Sequence, residues 1–137
     1  MNRIKIYNEI VSSMKQLFGG RKLETEERGN IAMAVNALED DLKAEQLTRA
    51  IAHCTDEGNL SDACYRILRL AYQDWEKRLA PSQDAAYCAI IKQKWLSCQG
   101  KGNNKVLDSV VLFVHYKEYP DFFKPLDMMD FLLKGEG

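Results

Sequence analysis

The stretch VLDSVVLFVHY, residues 106–116, decides the fold class, because it alone in the chain concentrates strand-favouring residues. Read with period two, Ser109 to Val114 would be a short strand. Read with period 3.6, Leu107, Val111 and Val114 share one helical stripe. No other segment alternates apolar and polar residues, so a strand here would lack a partner for its backbone N–H and C=O groups. The segment is therefore read as helix. The chain then becomes an all-α, compact bundle of about five to seven helices, a single helical domain over 1–137.

Both flanks of this stretch fit the same reading. Downstream, Pro120 ends the helix, and Pro125 can open a last short one that runs to Lys134 before Gly135. Upstream, residues 99–105 hold two Gly and two Asn and read as a flexible loop. Before it, Ala85, Ala86, Ala89, Ile90, Trp95 and Leu96 make a helix running to Gly100, with Ser82 as its expected cap. Leu60, Cys64, Ile67, Leu68, Ala71, Trp75 and Leu79 line another, expected to start at a Ser61 cap and limited by Pro81. Ile31, Ala34, Val35, Leu38 and Leu42, then Leu47, Ala50, Ile51 and Cys54, fit one bent helix or two short ones. Glu39 to Asp41 would mark the start of the second piece. The first helix carries Ile6, Tyr7, Ile10, Val11, Met14, Leu17 and Phe18 on one face and stops at Gly19-Gly20. The charged stretch from Arg21 to Gly29 reads as a loop or a helix start.

Composition bounds the function. The 137 residues are 46% hydrophobic and 28% charged, which suits one globular domain and is too apolar for intrinsic disorder. Nineteen Lys and Arg against twenty Asp and Glu leave a net charge of -1, which excludes a broadly polycationic nucleic-acid binder. No apolar run approaches the ~20 residues that cross a bilayer, so no membrane partner is expected. Asn8 and Glu9 interrupt what would be the apolar core of a signal peptide, which points to a cytoplasmic protein.

Reactive chemistry is sparse. Cys54, Cys64, Cys88 and Cys98 are spaced ten, twenty-four and ten apart, without the Cys-x-x-Cys pairs of zinc or redox centres, and are read as reduced thiols in helices. His53 and His115 are the only histidines, and neighbouring helical residues such as His53 and Cys54 point about 100 degrees apart. The loop Gly100-Lys101-Gly102-Asn103-Asn104 lacks the later glycine or the Gly-Lys-Ser/Thr ending of a phosphate loop. We therefore expect no catalytic residues, no metal, no cofactor and no small-molecule substrate: the protein reads as a non-enzyme.

Two surfaces remain. The tail Tyr119 to Leu133 interleaves apolar residues with three Asp and one Lys, and Phe122, Phe123, Leu126, Met129 and Leu133 are its candidate partner-binding set. On this reading, residues 119–137 are a docking segment of an adaptor, inhibitor or small subunit that binds another protein or a second copy of itself. The alternative is a nucleic-acid-associated module. Residues 81–105 hold four basic groups and one acidic, and Tyr65, Arg66, Arg69, Tyr72, Lys92, Lys94, Lys101 and Lys105 could combine phosphate contacts with base stacking.

Overall fold

Asn2 starts the first helix by accepting the Lys5 backbone N–H at 3.1 Å, which fills one of the donors that a helix start leaves open. The computed structural model describes residues 1–98 and 109–113. In it α1 runs Arg3–Leu17 and turns Tyr7, Ile10 and Met14 inward, the three-and-four spacing of a single stripe. Gly19 and Gly20 close the helix at φ of +74° and +88°, where a β-carbon would be strained, and the Gly20 N–H reaches the Lys15 carbonyl at 2.9 Å.

The second helix, α2, spans Thr25–Asn36 and begins inside the charged stretch. Glu24 and Glu27 cap each other's backbone N–H groups reciprocally, which explains how so polar a run enters a helix. From Gly29 to Asn36 every residue of α2 is buried. The chain then breaks, so the bent-or-double alternative resolves into two helices. Asp40 accepts the Lys43 N–H at 2.8 Å and caps α3, Asp41–Glu57. The break resets the helical phase. Leu42, which continuous spacing would place on the stripe, is consequently 63% exposed, while Ala44, Leu47, Ile51 and Cys54 face the core.

Gly58, at φ +66°, ends α3 in the left-handed conformation that suits a residue without a side chain. The turn to α4, Leu60–Asp74, is so tight that Asn59 becomes the cap in place of the expected Ser61. Its side chain accepts the Asp62 N–H at 3.1 Å. Ala63, Cys64, Ile67, Leu68 and Ala71 form the inner face of α4. A π-turn at Trp75–Leu79 and a 3-10 turn at Ala80–Ser82 follow, where Pro81 removes a backbone donor. Ser82 is not the next cap either, because its hydroxyl turns back to the Leu79 carbonyl at 2.8 Å. Asp84 takes that role, accepting from the Ala86 and Tyr87 N–H groups at 2.9 and 3.2 Å ahead of α5, Ala85–Cys98.

Terminal contacts fix the directions. An Arg3 guanidinium N–H donates to the Leu38 carbonyl at 3.2 Å, so α2 ends where α1 begins. The N-terminal ammonium lies 3.5 Å from Asp41, which brings the start of α3 to the same end. Thus α1 and α3 run one way while α2 and α4 run the other, with α2 packed against α4 and α1. Residues 109–113 are helical, in line with the helix reading of that stretch, and no strand occurs among the described residues. Beside the buried Ser109, their large inward residue is Phe113. It stacks on Phe18 at 5.9 Å and accepts the Asn30 side-chain N–H at its carbonyl at 3.1 Å, leaving Val111 half exposed instead of on the inner stripe. The architecture is an all-α bundle, and no helix among the described residues is long and apolar enough to cross a membrane.

Candidate functional site

Along α4 the outward residues are Asp62, Arg66, Arg69 and Gln73, and the first three border a cleft against α3. The cleft measures about 310 Å³, the lower end of what binding pockets occupy. Leu38, Leu47, Ala50 and Leu70 give it apolar walls, and Lys43, Arg66 and Arg69 bring three cations to its rim. Asp62 is the one carboxylate among these residues, and it is already engaged. Arg66 donates to it through Nε at 2.9 Å, and the Cys54 thiol donates to the same oxygen at 3.3 Å. Lys43 and Arg69 are exposed and have no carboxylate partner among the described residues. The rim is consequently positive beside an apolar wall. Burial, with Asp62 beside it, pushes the Cys54 thiol up to about 11, so it is no nucleophile at neutral pH.

The aromatic residues of α4 serve α5. Trp95 inserts between Tyr65 and Tyr72, with ring centroids 6.0 and 5.1 Å away and planes within 12° and 13° of parallel. Tyr72 also touches Trp75 and donates its hydroxyl to Glu76 at 2.9 Å. Tyr65 and Tyr72, named above as candidates for base stacking, thus each place one face of the ring on the protein's own indole. Lys92 and Lys94 are both exposed, but two positions on a helix are about 200 degrees apart, so they flank opposite sides of α5. The structure therefore brings Arg66 and Arg69 together with Lys43, which the sequence reading missed, while Lys92 and Lys94 are not among the described residues that line this cleft. Lys101 and Lys105 lie outside the described residues, as do Phe122, Phe123, Leu126, Met129 and Leu133 and the loop 99–105.

Two further features complete the surface. Helix α5 buries Ile91 and Trp95, yet Ile90 and Leu96 on its outer side are 45% and 62% exposed, with Ala85, Ala86 and Ala89 exposed around them. Where α4 meets the π-turn, Asp74 is buried at 3% exposure and accepts from Arg78 at 3.0 Å, while its second oxygen has no partner among the described residues. Burial raises this carboxyl to about 6, against the opposing pull of Arg78, Arg3 and Lys77. His53 is exposed, and Cys54, Cys64 and Cys88 are free thiols. Comparison with protein-family models, curated proteins and solved structures gave no match.

Proposed function

We propose that this protein is a non-enzymatic interaction protein, an adaptor, inhibitor or small subunit, that acts by binding another macromolecule on its surface. The observation that carries the reading is the α3–α4 cleft, where apolar walls stand beside the cations Lys43 and Arg69, which no carboxylate of the described residues neutralises. Such a rim gives orientation and encounter rate, while the apolar walls supply burial. The apolar outer side of α5 adds a second surface of the kind a contact would cover. The tail residues Phe122, Phe123, Leu126, Met129 and Leu133 belong to the same proposal. A cytoplasmic location fits it.

The nucleic-acid alternative draws support from the convergence of Lys43, Arg66 and Arg69, but its proposed stacking residues Tyr65 and Tyr72 already pack on Trp95. Affinity capture from the native host, with and without nuclease, separates the two. A protein partner that survives nuclease and is lost with a Lys43→Glu/Arg69→Glu variant supports the interaction reading. Capture that depends entirely on nucleic acid refutes it.

A further inference from the structure

We infer that the α3–α4 cleft receives an acidic, amphipathic segment of a partner protein, with carboxylates spaced three or four residues apart between large apolar side chains. The inference rests on the interaction reading and specifies its ligand class. Three observations carry it.

The first is charge. Of the three cations at the rim, Arg66 is held by Asp62 through Nε, whereas Lys43 and Arg69 face solvent without an opposing carboxylate among the described residues. An occupant that leaves these charges unpaired would desolvate them at a cost. One that supplies carboxylates would form charge-assisted hydrogen bonds in their place. The second is chemistry of the walls. Leu38, Leu47, Ala50 and Leu70 come from both sides of the cleft, so an occupant must present apolar side chains inward, which a free phosphate or a sugar does not. A single-stranded nucleic acid would satisfy the cations but would seek exposed aromatic platforms, and Tyr65, the one aromatic among the described residues lining the cleft, already stacks on Trp95.

The third is spacing. Arg66 and Arg69 are one turn apart on α4, about 4.5 Å along the axis at 1.5 Å per residue. Carboxylates three or four apart on a second helix recur at a similar interval, so an amphipathic helix can meet both arginines while its apolar stripe faces the leucines. Gln46, also lining the cleft, offers an amide that can bond a polar edge of such a segment.

The test uses the full chain as bait against a displayed library of random sixteen-residue peptides, with a fluorescent single-stranded oligonucleotide titrated in parallel. Enriched peptides should carry Asp or Glu at intervals of three or four interleaved with Leu, Ile, Met or Phe. Their binding should fall at least tenfold in the Lys43→Glu/Arg69→Glu variant and weaken as salt rises from 50 to 500 mM. Both substituted side chains are exposed, so circular dichroism and melting temperature should match the parent and confirm that the variant is folded. Enrichment of neutral or basic peptides, equal binding by the variant, or variant-sensitive binding of the oligonucleotide alone would overturn the inference. A nuclease-resistant partner captured from the host by some other face would preserve the broader reading while this one fails.

Discussion

Asp74 gives the sharpest quantitative expectation. Its carboxylate accepts from Arg78 at 3.0 Å, an arrangement that on its own lowers the affinity for a proton. Burial works the other way: Asp74 is 3% exposed and one oxygen is unpartnered among the described residues, while the Arg78 side chain is 32% exposed, so water screens its charge. Burial wins and the carboxyl rises from 3.8 to about 6. The folded state therefore holds a proton more tightly than the unfolded chain does, and in that window the unfolded state binds fewer protons. Stability from this group is fully present below about pH 4 and is lost as pH rises through about 6. At 1.36 kcal/mol per unit, the ionised form costs at most about 3 kcal/mol at neutral pH. Asp74→Asn removes the charge at nearly constant shape. The melting temperature at pH 7 should rise by several degrees, since ~1 kcal/mol moves a domain of this size by about 3 to 5 °C. Differential scanning calorimetry of both proteins from pH 4 to 7.5 should show their difference growing over that range. If the variant melts lower than the parent at pH 7 and the gap narrows toward pH 4, the Arg78 pair outweighs burial and the reasoning is wrong.

Three other outcomes follow from the packing. Arg21→Met should destabilise by about 2 to 3 kcal/mol by chemical denaturation, because it strips a bidentate pair at 2.8 and 2.6 Å from Glu27, whose side chain is 1% exposed; unchanged stability would show that water can take over. Trp95→Ala should cost about 3 to 5 kcal/mol and open α5 to limited proteolysis, since that ring fills the space between Tyr65 and Tyr72. Iodoacetamide at pH 7.5 should leave Cys54 and Cys64 unmodified in the folded protein and alkylate both after denaturation, as burial pushes each thiol upward; rapid labelling of either in the native state would contradict their placement.

Much of the bundle was legible because α1, α3 and α4 each bury one face and solvate the other, which writes a 3.6-residue stripe into the sequence. Helix α2 has no such stripe. It is enclosed from Gly29 to Asn36, so its buried set includes Asn30 and Asn36, and its start carries Glu24, Glu26, Glu27 and Arg28. Its charged start is held locally, by the Glu24–Glu27 capping box and by the Arg21 fork on Glu27 six residues away, whereas Asn30 is satisfied by the Phe113 carbonyl across 83 residues. That last partner is not visible in local spacing. The candidate cleft divides likewise. Arg66 and Arg69 stand at helical spacing on one element, whereas Lys43 joins them only because a two-residue turn folds α3 back along α4. Tyr65 and Tyr72 show the reverse error: their shared face was plain, but what faces it, Trp95, was not.

The same contacts bear on whether the cleft is shaped before anything enters it. At the turn end, the Cys54 thiol on α3 donates to Asp62 on α4, tying the two walls together next to the Gly58-Asn59 turn, and Arg66 holds that carboxylate from one turn along α4. At the far end, Leu38 lines the cleft while its carbonyl accepts from Arg3, which fastens the α2–α3 junction to the start of α1. Between these ties the wall residue Leu47 is buried in the same core cluster as Ile51 and Ile67. An occupant would therefore meet walls already held apart, and would order few protein side chains beyond Lys43 and Arg69 at the rim. Rigid walls shift the cost of binding onto the partner, which must adopt its helix and place its carboxylates. A partner segment helical in isolation should consequently bind more tightly than a disordered one of the same composition. A cleft that formed only on binding would blunt that difference, because ordering the protein's own walls would add a shared cost.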